Sequence, residues 1–249
     1  MTLDTLHARL DFLRETERLK DVLRSGHTSS GRPESTAEHS WRLCLMALAF
    51  ADALSNVDTL KLLKLCVVHD LGEALHGDIP AIEQTAHPDK STQERDDLLT
   101  LTAALDRALR DEIVALWDEY EAVASPEARA AKALDKLETI LQHNRGSNPP
   151  DFDYAFNLGY GRCYTDAAPL FAAIRPIVDA DTRSRIDAFD VRVFHRLAWT
   201  DELQLDAMFV RPGIERLADE LRPVIHLNQI GTSSSLPQLL EHTRHAYTR

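Results

Sequence analysis

The sequence predicts an all-α fold, and three observations carry that expectation. Apolar residues recur at helical spacing through most of the 249 residues, and no run alternates in the strand manner between turn signals. Serine or aspartate caps also stand ahead of several of the periodic stretches. With 44% hydrophobic side chains, a chain of this length can bury a substantial core, as one large domain or as one domain with an appendage.

The elements follow in order. Leu3, Leu6, Leu10, Leu13, Leu19 and Val22 mark a first amphipathic helix ending near Ser25-Gly26. After a loop with Gly31 and Pro33, Ser35-Thr36-Ala37-Glu38 fits a capping box, which puts His39 in the first turn of a second helix carrying Trp41, Leu45 and Leu48. Asp58 caps a third helix whose Leu60, Leu62, Leu63, Leu65, Val67 and Val68 leave little polar face, so it is expected to be buried. Ser91-Thr92-Gln93-Glu94 offers another capping box, ahead of one bent helix or two through Leu98, Leu101, Leu105, Leu109, Ile113 and Leu116. Ser125 and Pro126 open a helix through Leu134, Leu137 and Leu141, with Asp135 set between leucines. Pro149-Pro150 breaks the chain, Phe152 to Tyr164 has no clear period, and helices resume over 170–178 and 186–197. Thr200 and Ser235 are caps for shorter helices beyond.

Charge and cysteine usage exclude some classes of function. A formal net charge of −12 opposes binding to nucleic acid polymers or anionic membranes, and a small anionic substrate would need a locally basic pocket. Cys44, Cys66 and Cys163 show no CxxC spacing and sit mainly among apolar residues, which fits reduced, buried thiols in a cytoplasmic protein. The first residues carry charges where a signal peptide needs an apolar run, and no stretch has membrane-spanning length.

The chemistry concentrates in Cys66 to Pro80, where His69, Asp70, Glu73 and Asp78 close an apolar helix. Buried charges need a partner, and a metal cation suits a long imidazole and a short carboxylate placed about 100° apart on one helix. His39 and Asp135, on two other helices, are further candidates.

The order H…HD…D resembles the HD-domain superfamily of metal-dependent phosphohydrolases. The pair alone is a weak signal, but Arg32-Pro33-Glu34-Ser35-Thr36-Ala37-Glu38-His39-Ser40-Trp41, Val68-His69-Asp70-Leu71-Gly72-Glu73-Ala74 with Gly77-Asp78-Ile79-Pro80, and Leu134-Asp135-Lys136-Leu137-Glu138 are together similar to its 5′-deoxynucleotidase branch. Trp117-Asp118-Glu119-Tyr120-Glu121 supports the same branch, and the resemblance runs from about Leu6 to Arg175.

It implies an HD-domain helical bundle, here over 1–183, and a homodimer that hydrolyses deoxyribonucleoside 5′-monophosphates; the pattern beyond reads as a helical extension over 184–249 of open role. It also implies that His39, His69, Asp70 and Asp135 bind one divalent ion per chain, whether cobalt, manganese, iron, magnesium or zinc. Glu73 would orient the attacking water. Asp78 would contact substrate and assist the leaving group, and Arg24 would grip phosphate. Ser25 departs from members that carry an aromatic residue beside that arginine. His76 is a second departure, which either approaches the site or faces solvent.

Plainer roles exist for each residue. His39 alone is more often a core or capped histidine, and Asp135 a solvated helix charge. Glu73 could orient a ligand from behind it, Asp78 could end a helix, and Arg24 could be a cation at a helix C-terminus. The remaining histidines, His87 and His143 among them, read as surface or structural. Two other functions compete: an HD-type di-iron oxygenase, needing further histidine ligands, and a silent nucleotide-binding regulator, against which intact Glu73 and Asp78 speak.

Overall fold

The computed structural model describes residues 1–197, whose regular elements are helices apart from one two-stranded sheet. Helix α1 (Leu3–Thr16) is capped by Thr2 and passes into a 3-10 turn over Glu17–Lys20. It buries none of its residues, and Leu3, Leu6, Leu10 and Leu13 are all exposed. The expected continuation to Val22 as one helix with a buried face is therefore not found. Strand β1 (Leu23–His27) pairs antiparallel with β2 (Pro33–Ser35) through the registers Leu23 with Ser35 and His27 with Pro33. These short strands lack alternation, and distant side chains hold the ladder at its His27 end. The Gln142 amide donates to the His27 carbonyl at 2.7 Å, and the Asn148 side chain accepts from the His27 amide at 3.0 Å.

Helix α2 (Thr36–Ala49) starts at the expected capping box, with Ser35 and Glu38 each bonding the other's backbone. Asp58 caps α3 (Thr59–Val68) by accepting from the amides of Leu60 and Lys61. Leu62, Leu65, Cys66 and Val68 are buried, whereas Leu60, Lys64 and Val67 face outward, so α3 is half-buried and not fully enclosed. Its last turn breaks at His69, and a separate short helix α4 (Glu73–His76) carries Glu73 at its first position. Gly77 ends α4 at φ 90°, a value that L side chains rarely adopt.

Helix α5 (Lys90–Leu101) begins before Ser91 without a side-chain cap, so that capping box does not form. Ser91 instead bonds Glu121 at 3.1 Å. A turn ahead of Asp106, which caps α6 (Arg107–Glu121), resolves the bent stretch into two helices. Ser125 and Pro126 open α7 (Pro126–Arg145) as expected. The unpatterned segment folds into α8 (Tyr154–Gly159) and α9 (Arg162–Thr165).

One helix, α10 (Pro169–Leu197), replaces the two expected and runs through Pro176. Its anchor is Arg175, fully buried, which bonds Asp179 one turn on at 2.7 Å and the carbonyls of Asn157 and Tyr160 at 2.6 Å each. Charge-assisted bonds of this kind offset the amide lost at the proline. The compact unit closes at Ile186. The caps assigned to Thr200 and Ser235, and most of the 184–249 extension, lie outside the described residues.

Helices α2, α3 and α7 form the centre, packing Leu43, Leu62, Leu65, Leu134, Leu137 and Ile140. Four buried alanines on α7, at 128, 130, 131 and 133, let its neighbours approach closely. A second cluster, with Leu71, Leu98 and Trp117, ties α5 and α6 to the α4 end. Among the described residues no helix is long and apolar enough to cross a membrane. Of the cysteines, Cys66 is buried and Cys44 half-buried, but Cys163 is exposed, against expectation; all three are free.

Leu137 is fully buried, so Leu137→Ala should cost about 2–5 kcal/mol of unfolding free energy. Leu10→Ala, on the exposed face of α1, should stay within about 0.5 kcal/mol. Urea titrations of the two variants check the contrast.

Candidate active site

The central helices bring two imidazoles together at the inner wall of a cavity. His39 is held in the first turn of α2 by the capping box, and its Nδ1–H donates to Glu138 of α7 at 2.5 Å. His69, at the end of α3, donates through Nδ1–H to the Cys66 carbonyl at 2.9 Å. Both acceptors fix the same tautomer and leave Nε2 with its lone pair free. Both Nε2 atoms are buried without a hydrogen-bond partner, and the ring centroids lie 5.4 Å apart.

Two carboxylates face these nitrogens. Asp70 Oδ2 lies 3.0 Å from His69 Nε2 and 3.8 Å from His39 Nε2, and Asp135 Oδ1 lies 3.2 Å from His39 Nε2. Donor atoms of His39, His69 and Asp70 all fall within 4.8 Å of one another. The other Asp135 oxygen accepts from the Tyr120 hydroxyl at 2.8 Å and pairs with Lys136 at 2.9 Å. Burial and Arg24 both oppose a charge on His39, yet Glu138 and Asp135 lift its pKa to about 10. Burial likewise opposes ionised Asp70 and Asp135, yet His69 beside Asp70 and Lys136 beside Asp135 help hold both below the usual carboxylate range. The cluster thus demands positive charge between bare nitrogens and carboxylates, and a divalent cation fits that demand.

A second buried trio, Glu34, His39 and Glu138, lies behind the first. Burial next to Glu138 pushes Glu34 up to about 7. Since His39 Nδ1 already donates to Glu138, that face serves to orient the ring.

Arg24, Glu73 and Asp78 line a cavity of about 610 Å³ together with His69, Asp70 and Asp135. Arg24 sits on β1, not at a helix terminus, and contacts Asp70 Oδ2 and Thr139 Oγ1, each at 3.3 Å. Glu73 is buried; it accepts from Thr36 Oγ1 at 3.1 Å and lies 3.7 Å from Lys90 Nζ. Burial, reinforced by Asp70 and Asp78, raises its pKa well above the usual value. Ser25 lines the same space.

His76 bonds Asp97 at 2.7 Å with most of its side chain in solvent, which settles its alternatives in favour of the helix end. His87 and His143 do line the cavity, and His143 is buried. The sequence reading placed none of Thr36, Tyr120, Lys90, Thr139, His143 or Asn157 in the site, and took His143 as surface or structural. A signal did exist on α7, where Asp135, Thr139 and His143 recur every four residues among leucines, as a polar stripe on a buried helix.

The HD-domain family profile matches residues 16–175. Curated proteins similar to this chain include 5′-deoxynucleotidase HDDC2 of Danio rerio, 39% identical over 135 residues, covering 53% of this chain and 66% of that protein. The protein of the same name from Homo sapiens is 37% identical, covering 53% of this chain and 65% of the relative. The chain thus spans just under two thirds of the length of these relatives. A solved structure described as a predicted metal-dependent phosphohydrolase, from Magnetospirillum magnetotacticum, superposes with a TM-score of 0.64 at 30% identity, covering 72% of this chain and 94% of that one.

Burial of His143 lowers its pKa to about 4, the hydrogen bond to Asn157 only partly offsetting it. An unfolded histidine titrates near 6.5, so between about pH 6.5 and 4 the unfolded chain takes up a proton that the folded chain refuses, and this contribution to stability is lost as pH falls. His143→Gln should therefore close part of its stability gap to the wild type on acidification, by on the order of 2–3 kcal/mol at pH 4. Urea titrations of both proteins from pH 7 to pH 4 measure it.

Proposed function

The chain belongs to the HD-domain family, and on that premise we propose that it hydrolyses deoxyribonucleoside 5′-monophosphates to the deoxynucleoside and inorganic phosphate with a divalent metal ion. The observation that carries the reading is the pair of buried, partnerless Nε2 atoms of His39 and His69 facing Asp70 and Asp135 beside a cavity that holds Arg24. The curated relatives are named as 5′-deoxynucleotidases, which supports the substrate class.

His39, His69, Asp70 and Asp135 would hold the ion, and their mixed donors suit cobalt, manganese, iron, magnesium or zinc. When bound, such an ion supplies Lewis acidity toward a phosphoryl oxygen and toward water. Arg24 binds the phosphate dianion, since its two 3.3 Å contacts are long enough to be shared with an incoming oxygen. Water attacks phosphorus and its proton passes to Glu73, whose burial makes it a stronger base than a solvated carboxylate. The bond from phosphorus to the 5′-oxygen breaks, and that oxygen takes up the proton accepted by Glu73, relayed by Asp78, which lines the same cavity. Lys90 steadies Glu73, and Lys136 holds the outer oxygen of Asp135. The reading includes a homodimer and a cytoplasmic location; the exposed leucines of α1 supply apolar surface for association.

Phosphate release from a panel of nucleoside monophosphates, with and without each metal, tests the proposal. Asp70→Ala should abolish turnover and metal binding while circular dichroism keeps its helical signal, and the wild type should carry one metal per chain. Turnover by a metal-free variant would sink the mechanism, and two metals per chain would favour the oxygenase. Glu73→Ala should lower kcat by roughly a hundredfold or more with metal retained. Loss of metal from that variant would move Glu73 into the ligand set, and near-normal turnover would remove it from the reaction.

A further inference from the structure

The cavity extends well beyond the residues used above. Its far end is built from the last turns of α7, the 149–153 loop and α8, and includes His143, Phe152, Phe156 and Asn157. Asp135, Thr139 and His143 recur every fourth residue along α7, which sets them about 6 Å and 12 Å apart along the axis at 1.5 Å rise per residue. Strand β1 runs beside this row. Arg24 reaches Thr139, and a Cβ at Gly26 would come within 3.0 Å of the His143 ring. A trough therefore leads from the phosphate-binding arginine, past Thr139, to His143.

The two ends differ in chemistry. The near end holds Arg24, Lys90 and Lys136, the last reaching over the Tyr160 ring at 5.0 Å, whereas the cavity-lining residues from 143 to 157 include no lysine or arginine and two aspartates, Asp151 and Asp153. That end disfavours a second anionic group and offers aromatic surface instead. The Phe152 ring packs edge-on to His143 with centroids 4.8 Å apart, and Phe156 packs on Tyr160 at 5.3 Å. Asn157 is fully buried, its Oδ1 accepts from His143 Nδ1–H at 2.9 Å, and its Nδ2 has no hydrogen-bond partner. An unmet amide donor buried in the wall of an aromatic cavity is costly unless a ligand acceptor completes it. Arg175 fixes it in place by bonding the Asn157 carbonyl.

We propose that this far end is the nucleobase subsite, with Phe152 and Phe156 flanking the base and the His143–Asn157 pair hydrogen-bonding its edge. The inference rests on the phosphomonoesterase reading and deepens it. The substrate class becomes a monophosphate bearing an uncharged heteroaromatic base, laid along α7 with its phosphate at Arg24.

The test compares deoxycytidine, deoxyadenosine, deoxyguanosine and thymidine 5′-monophosphates with 2-deoxyribose 5-phosphate, which has the same phosphoester and sugar but no base. In wild-type protein supplied with manganese, kcat/KM should be at least tenfold higher for the best nucleotide than for the sugar phosphate. In Phe152→Ala and His143→Gln that ratio should fall toward one, mainly through KM. The melting temperature and circular dichroism of each variant report folding. Equal turnover of nucleotide and sugar phosphate by wild type overturns the base subsite alone, whereas hydrolysis of neither overturns the phosphomonoesterase reading. If folded variants lose both activities in proportion, these side chains are structural and the proposal fails. Asn157→Asp supplies the second arm, since it keeps the shape and removes the unmet donor. A ratio unchanged from wild type in a folded Asn157→Asp protein removes Asn157 from recognition and overturns the assignment of the pair.

Discussion

Two imidazole nitrogens with free lone pairs, buried against two carboxylates, set the terms for the rest of this structure. Such a cluster is stable only with positive charge between its members, because each carboxylate loses hydration on burial and each nitrogen loses its water partner. The protein answers from several directions. Lys136 meets the outer oxygen of Asp135, and Arg24 approaches Asp70. The inner space is left to a proton on His39 or to a cation. The donor atoms come from α2, from the turn that directly follows α3, and from α7, so the packing of the core helices and the ligand geometry are one constraint.

The layer behind the donors explains how the geometry is kept. Each histidine is held through Nδ1 by a different acceptor, a carboxylate for His39 and a backbone carbonyl for His69. The carbonyl is free for His69 because the helical ladder ends there. A helix continuing smoothly to Glu73 would have kept Asp70 and Glu73 on adjacent faces of one cylinder. The break after Val68 and the restart at Glu73 let the two carboxylates take separate tasks, one among the nitrogens and one against Thr36 and Lys90.

Much of this was legible in the sequence, and the parts that were not share a cause. Capping at Ser35, Asp58 and Ser125 is a local backbone interaction, so the starts of α2, α3 and α7 could be read residue by residue. The gathering of His39, His69, Asp70 and Asp135 at one place was anticipated only through a family resemblance, since no local rule brings helices nearly a hundred residues apart into contact. The β1–β2 ladder escaped because its stability comes from Gln142 and Asn148, far along the chain. The unbroken α10 escaped because Arg175 finds partners on α8 and just after it that no periodicity reveals. Arg24 carried two readings, a phosphate grip implied by the resemblance and a plain cation at a helix C-terminus; it lies on a strand, where it reaches both Asp70 and Thr139.

Helix α7 joins the two ends of the cavity, and its rigidity separates their chemistry. Asp135 belongs to the cluster that needs a cation, beside His39, His69 and Lys136. Two turns on, His143 belongs to a wall made of loop, short helix and aromatic rings, held by Arg175 at the Asn157 carbonyl and by Asn148 at the His143 carbonyl and the Tyr154 hydroxyl. Side-chain substitutions at the far end can reshape the cavity there without moving a donor atom, because local side-chain changes disturb little of a helix two turns away. A rigid tilt of α7 moves Asp135 and His143 together, so the two ends share one frame while their surroundings differ.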